Sequence, residues 1–520
     1  MRIPKYKNEP YTDFSKKANR ERQVRAIEVV ESKFNTEYDI VIGGDGVRTA
    51  TKFNSYNPSD PDQVVGVFQK GSQEEADRAI EVATEKFEEW KRVSPKKRAE
   101  YLFKLANVMR KRRFELNAAE ILEVGKPWTE ADADVAESID FCEFYAREML
   151  RLEGGQPLVR TPKERNELWY IPLGPGVVIP PWNFPLALLT GMTTASIVAG
   201  NTVVVKPSSD SALVGYKLME MFDEVGLPPG VMNFVTGPGG AAGETLVNHP
   251  KTRFVSFTGS KEVGVRIYDL ASKVQPGQVW LKRVVAEMGG KDSIIVDHDT
   301  NLDEAAAGVT VSAFGFQGQK CSACSRAIVV EKVYDRFLHL LSKRAESITV
   351  GPAKELSNFM GPVINKGAEE KICQYIHIGE KEGGRIVAGG GKAPGKGYFL
   401  RPTVIADVDP RATIAQEEIF GPVLAVVKAR DFNHALDIAN NTIFGLTGAV
   451  YSRNRRKVER AKRSFHVGNL YINRKCTGAL VGVHPFGGFN MSGTDSKAGG
   501  RDYLLLYTQA KSISEKVKGA

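Results

Sequence analysis

The stretch Gly176-Val-Val-Ile-Pro-Pro-Trp-Asn-Phe-Pro185 decides the fold. A β-branched run ends in a proline-bracketed turn, and an amphipathic segment over 186–199 follows. The unit then recurs. Apolar runs return at Thr202-Val-Val-Val205, Asn233-Phe-Val235 and Phe254-Val-Ser-Phe257, each closed by Pro or Gly, with helical patterns over 210–225 and 261–273 between and after them. Strands that are apolar throughout are buried on both faces, and their alternation with short helices predicts an α/β fold of right-handed βαβ units with a parallel sheet. Ligands of such sheets bind beyond the carboxyl ends of the strands, where these Pro and Gly turns lie.

A second α/β series starts near Lys291, with strands expected at 293–297, 326–331, 402–405, 423–428, 447–451 and 468–473, so a domain boundary falls around 284–291. Upstream, residues 12–35 read as an amphipathic helix with Phe14, Ala18, Val24, Ile27 and Phe34 on one stripe. Strand-like runs follow at Tyr38-Asp-Ile-Val-Ile42 and Gln63-Val-Val-Gly-Val-Phe68, then helices over 73–92, 95–124 and 130–153, the first opened by a Ser72/Glu75 capping box. Glu167-Leu-Trp-Tyr-Ile171 and Tyr503-Leu-Leu-Leu-Tyr-Thr508 are apolar runs outside both series and read as edge strands that pair with a partner.

At 520 residues the chain needs two or three domains. Its 71 basic and 62 acidic residues leave a net charge of +9, but the charges are interspersed. Lys111-Arg-Arg113 and Arg453-Asn-Arg-Arg-Lys457 read as solvated faces, so nucleic acid is not expected and a modest attraction for anionic substrates or cofactors is. Five irregularly spaced cysteines suit a reducing compartment. No apolar run approaches about 18 residues and Met1-Arg-Ile-Pro-Lys-Tyr6 has no apolar signal region, so no membrane and a cytoplasmic location are expected.

Several strand ends carry residue types suited to chemistry. Prolines fix the turn around Asn183, whose amide N–H can face a developing oxyanion, although an aromatic loop packed on the sheet explains the same pentapeptide. Lys206-Pro-Ser208, Gly237-Pro-Gly-Gly240 with Gly243, and Phe257-Thr-Gly-Ser260 with Gly264 are strand-to-helix junctions that suit a phosphate or ribose, yet none is the G-x-G-x-x-G pattern, and tight turns account for each alone. Glu287-Met-Gly-Gly-Lys291 offers a carboxylate with space beside it, as a general base requires. In Phe316-Gln-Gly-Gln-Lys-Cys-Ser-Ala-Cys-Ser-Arg326, Lys320 beside Cys321 favours the thiolate. The C-x-x-C of Cys321 and Cys324 lacks both the placement of a redox pair and the further ligands of a zinc site, and no metal is expected.

In this order, the Asn183 turn, Lys206, the Gly-rich turns, Glu287, Cys321, Glu417-Glu-Ile-Phe-Gly-Pro-Val423 and Pro485-Phe-Gly-Gly488 resemble the aldehyde dehydrogenase superfamily over roughly residues 40–510. The resemblance implies a Rossmann-like nicotinamide domain (37–160 and 175–287) after an N-terminal helical extension (1–36), a catalytic domain (288–490), and a small β oligomerisation arm with the tail (161–174 and 491–520). It implies that Cys321 is the nucleophile, Glu287 the base that activates the deacylating water, and Asn183 the oxyanion donor together with the Cys321 N–H. It places NAD along Trp182, Lys206, Ser208, Gly239, Gly243, Phe257, Gly259, Ser260, Val263, Gly289, Glu418 and Phe420. Ser209 stands where many NAD-preferring relatives carry a glutamate, which leaves NADP open.

Gly318-Gln-Lys-Cys-Ser-Ala-Cys-Ser-Arg326 with Arg474-Lys-Cys-Thr-Gly-Ala-Leu-Val-Gly482 resembles the members that oxidise L-glutamate γ-semialdehyde, the open form of 1-pyrroline-5-carboxylate, to L-glutamate in proline catabolism. In them Ser322 and the amides of Gly478 and Ala479 would hold the α-carboxylate, and Phe184 and Phe486 would flank the aliphatic chain. A turn of small residues offers unhindered N–H donors to an anion. Another semialdehyde such as succinic semialdehyde is the alternative substrate. A non-enzymatic member would be expected to lack one of Cys321, Glu287 and Asn183, and all three are present. A homodimer or higher homo-oligomer is expected.

Overall fold

Two seven-stranded sheets carry the chain, which a computed structural model describes over residues 4–517. The first runs Arg283–Glu287, Phe254–Thr258, Gly176–Ile179, Val203–Val205, Met232–Phe234, Ile40–Ile42, Asp45–Val47. Its first five strands are parallel and the last two antiparallel. Val203–Val205 and Met232–Phe234 are buried throughout, which is why they read as unbroken apolar runs. The second sheet runs Arg385–Ala388, Thr403–Ala406, Val423–Ala429, Cys324–Val330, Asp292–Val296, Thr447–Tyr451, Asn469–Ile472, parallel except for its first strand. The first sheet thus closes at Glu287, five residues before the second opens at Asp292.

Helices Gln73–Trp90, Pro95–Glu123 and Trp128–Glu153 flank the first sheet. Ser72 and Glu75 form the expected capping box. Strands Glu164–Pro172 and Thr508–Lys516 pair antiparallel, outside both large sheets.

Four expectations need correction. The run 38–42 is not one strand: it divides at Asp39, so that Glu37–Tyr38 joins a three-stranded sheet with Asp60–Gln69 and Lys52–Asn57 while Ile40–Ile42 joins the central sheet. The first helix spans Lys17–Glu31 rather than 12–35, because the Asp13 carboxylate accepts the Ser15 N–H and hydroxyl and holds a turn there; Val24 faces solvent. Tyr503–Tyr507 is a 3-10 turn buried in the core, not an edge strand, and the arm strand starts only at Thr508. Residues 492–507, assigned above to arm and tail, therefore pack on the first sheet and its helices. Strands Lys52–Asn57, Arg283–Glu287 and Arg385–Ala388 were not foreseen. Residues 1–3 of the expected N-terminal extension and 518–520 of the tail lie outside the described residues.

Candidate active site

Helix Leu302–Phe314 ends at Gly315, and the chain then turns sharply, with Phe316 and Gln317 at φ 50° and 57°. Non-glycine residues hold such angles only when their surroundings dictate them. Here Gln317 Nε2 donates to the carbonyls of Gly125 (3.0 Å) and Pro362 (2.8 Å), and Gln319 Oε1 accepts the Ile364 N–H (2.9 Å). The turn delivers Cys321 just before strand Cys324–Val330. Buried Asn183 donates its amide to the Gln319 carbonyl at 2.9 Å, which brings the two strand-end turns together.

The thiol of Cys321 is not prepared by Lys320. That ammonium pairs with Glu130 at 2.7 and 2.8 Å. Burial pushes the Cys321 thiol well up, and Asp292, Glu418 and Glu287 push it further. The expectation of a lysine-stabilised thiolate is withdrawn: adjacency in sequence did not fix where the ammonium points.

Glu287 ends the edge strand of the first sheet. Its carboxylate accepts the Ser496 hydroxyl and the Gly488 N–H (3.3 Å), yet burial still raises it to about 8. Cys321 and Glu287 line one cavity of about 420 Å³ together with Phe184, Ser322, Gly478, Ala479 and Phe486. Gly478 has φ +77°, a conformation that favours glycine. Ser322 sits beneath this anchor loop, its carbonyl accepting from Thr447 Oγ1 and Cys476 Sγ at 3.4 Å each.

Most of the residues expected to hold NAD follow the ends of the first sheet's strands. Lys206 is buried, donates among the described residues only to the carbonyls of Gly237 (2.8 Å) and Pro207 (3.2 Å), and burial lowers it to about 8. An ammonium without a carboxylate partner suits a ribose hydroxyl or phosphate. Side chains added at Gly239 or Gly240 would meet no atom within 4 Å, so the cradle beside Lys206 is open, whereas one at Gly243 would come 3.4 Å from the Lys206 chain. Ser208 caps the turn Ser209–Ser211, and Ser260 caps helix Lys261–Ser272 by accepting the Val263 N–H at 3.3 Å. Phe257 is buried, its ring beneath Gly259 and Gly264, so its part is packing under the turn rather than facing a ligand. Trp182 meets Phe420 edge to face at 5.6 Å. Glu418 accepts the Gly290 N–H at 3.0 Å, burial raises it to about 7, and a Cβ on Gly289 would overlap its carboxylate. These donors and open spaces fit a dinucleotide.

Among the cavity residues that the sequence reading did not single out are Glu130, Glu137 and Lys475. Glu130 and Glu137 lie two turns apart on helix Trp128–Glu153, so both face the cavity, and that spacing was the available signal. Burial and Asp134 raise Glu137 to about 8. Lys475 reaches the same wall, within 3.4 Å of where a Gly478 side chain would begin. No helix among the described residues is long and apolar enough to cross a membrane.

Known proteins share this architecture. The model of the aldehyde dehydrogenase family matches residues 47–513. A 1-pyrroline-5-carboxylate dehydrogenase of Geobacillus thermodenitrificans is 56% identical over 513 residues, 99% of each chain. One of Bacillus cereus is 54% identical over 510 residues, 98% of this chain and 99% of the other. The structure of 1-pyrroline-5-carboxylate dehydrogenase from Thermus with bound NAD superposes with TM-score 0.97 at 50% identity, covering 99% of this chain and 100% of that one.

Proposed function

The chain belongs to the aldehyde dehydrogenase family, and from that premise we propose that it oxidises L-glutamate γ-semialdehyde, in equilibrium with 1-pyrroline-5-carboxylate, to L-glutamate with NAD, a late step of proline catabolism. The observation that carries the reading is the cavity in which Cys321 and Glu287 face the small-residue turn at Gly478 and Ala479.

In this reading the α-carboxylate is held by the Ser322 hydroxyl and the N–H groups of Gly478 and Ala479, with Lys475 adding positive charge. Phe184 and Phe486 flank the methylenes and aim the aldehyde at Cys321. The sulfur gives its proton to water in the cavity and adds as thiolate to the carbonyl carbon. The alkoxide is met by the Asn183 amide and the Cys321 N–H, each worth about 3 kcal/mol by analogy with other oxyanion holes. NAD, when bound, would supply the oxidant that accepts the hydride as the tetrahedral carbon on Cys321 becomes a thioester. Lys206, Gly239, Gly243, Ser260, Gly289 and Glu418 would hold and orient it. Glu287 then takes a proton from water as the oxygen attacks the thioester carbon; the C–S bond breaks, the electron pair returns to sulfur, and glutamate leaves. Splitting the oxidation into two steps is what the covalent link achieves.

Two further parts of the reading concern the whole protein. The isolated pair of arm strands supports assembly as a homodimer or higher homo-oligomer. Five free cysteines suit the reducing cytoplasm.

The test is purified protein with pyrroline-5-carboxylate and NAD, followed by NADH formation, beside succinic semialdehyde and a simple aliphatic aldehyde. The highest kcat/KM is expected for pyrroline-5-carboxylate. Faster turnover of either competitor would remove the substrate assignment, and a Cys321→Ser variant with full rate would remove the nucleophile.

A further inference from the structure

Ser496 lies 209 residues from Glu287 in sequence, and its hydroxyl donates directly to Glu287 Oε1. The contact is built rather than incidental. The segment bearing Ser496 is laced to the end of the Glu287 strand: Met288 N–H donates to the Ser492 carbonyl (2.8 Å), Thr494 N–H to the Ala286 carbonyl (2.9 Å), and Ala286 N–H to Thr494 Oγ1 (3.0 Å). On its other side, Phe486 and Ala498 exchange backbone hydrogen bonds of 2.9 and 2.7 Å. Between these ties runs Gly487, where a Cβ would strike the Ser496 carbonyl and stand 2.9 Å from Glu287 Oε1, so only glycine lets the three approach. One loop therefore fixes both the carboxylate and Phe486, a wall of the cavity.

We propose that Ser496 is a positioning residue for hydrolysis of the acyl-enzyme: with the Gly488 N–H it fixes the rotamer of the Glu287 carboxylate and favours its charged form. This rests on the reading of Glu287 as the base of that step. Ser496 Oγ donates to one carboxylate oxygen and Gly488 N–H to the other, and both favour the charged form. The remaining charges around Glu287 do not replace them. Lys497 favours the charged form through its field but donates to the carbonyls of Gly468 (2.9 Å) and Gly487 (2.6 Å) rather than to the carboxylate, and Asp495 opposes ionisation. Cys321, Tyr503 and Tyr507 are the other titratable neighbours, all uncharged at neutral pH with their protons held by burial, and Tyr507 donates to Tyr503 rather than to Glu287. Without Ser496 the carboxylate would take up a proton at higher pH and lose the donor that orients it.

The experiment is a single turnover with NAD and pyrroline-5-carboxylate across a pH series, with NADH formation followed by absorbance and decay of the thioester on Cys321 by intact-mass spectrometry. For Ser496→Ala, NADH formation should stay within about twofold of wild type. Thioester decay should have its midpoint moved up by about one pH unit, hence run roughly tenfold slower at neutral pH, the loss expected for one hydrogen bond to a charged group. Ser496→Thr should restore the wild-type midpoint. Ser496→Cys, of similar size with a weak donor, should behave as Ser496→Ala and serves if the alanine variant does not fold. An unmoved midpoint in a folded variant, or equal slowing of both phases, would overturn the proposal. Glu287→Gln separates the two claims: undiminished decay in that variant would remove the base assignment itself, whereas lost decay there with an unmoved Ser496→Ala midpoint removes only the role of Ser496.

Discussion

The sulfur of Cys321 lies in the field of Asp292, Glu418 and Glu287, while the lysine beside it in sequence is tied to Glu130. Burial and negative neighbours both disfavour the thiolate, so its share at neutral pH is small and should grow about tenfold per pH unit until the raised pKa is reached. Alkylation of Cys321 by iodoacetamide in the ligand-free protein should accordingly climb through pH 7 to beyond 9, with pH read against the ordinary thiol near 8.5. A rate that levels off below neutrality would mean that a cation, after all, sets the thiol. Gly289 gives a second test at this scale. A Cβ there would collide with Glu418 Oε2, and the carboxylate would have to leave the Gly290 N–H. Gly289→Ala should raise KM for NAD by about ten- to a hundredfold, the range for a lost hydrogen bond to a charge, with folding retained in the melting curve. An unchanged KM would separate Glu418 from the cofactor.

Among the elements, the proline-bracketed turn at 181–185 fixes the oxyanion donor, and its hold on the Gln319 carbonyl shows how few contacts do so. Asn183→Ala should lower kcat about 10²- to 10³-fold with little change in the NAD dissociation constant, as measured by steady-state kinetics and titration. A tenfold loss or less would mean that the Cys321 N–H alone suffices. This turn was legible because prolines and a strand end state their own geometry in sequence. The inner strands of both sheets were legible for a related reason: burial on two faces leaves no polar alternation to misread. The edge strand Arg385–Ala388 has an exposed arginine and one buried residue in four, so it carried no such mark. Tyr503–Tyr507 erred the other way, since an apolar run records burial but not backbone shape. Glu130, Glu137, Lys475 and Ser496 went unread because each looks like an ordinary polar surface residue until distant segments converge on it.

At the scale of the whole molecule, the arm is the part that the two cores leave unexplained. Glu164–Pro172 and Thr508–Lys516 pair over nine residues, but a two-stranded ribbon is marginal in water without a surface to cover it. Trp169 on the ribbon is 49% exposed. At the foot of the arm, Arg283 donates to the carbonyls of Leu505, Leu506 and Thr508, and just before it in the chain Val279 and Leu281 are 81% and 76% exposed. Exposed large apolar side chains suit a surface that a partner covers, and a second copy of the chain is the partner that our reading requires. A single chain weighs 57.1 kDa. Wild-type protein should sediment at a multiple of that mass, and Trp169→Asp with Leu281→Asp should shift it towards the single-chain value while circular dichroism stays that of the wild type. Both positions lie outside the cavity that holds Cys321, so any loss of turnover in that variant should follow the loss of assembly and recover as protein concentration rises. A wild type that sediments as one chain would remove the assembly reading, and an unshifted variant would place the interface elsewhere on the surface.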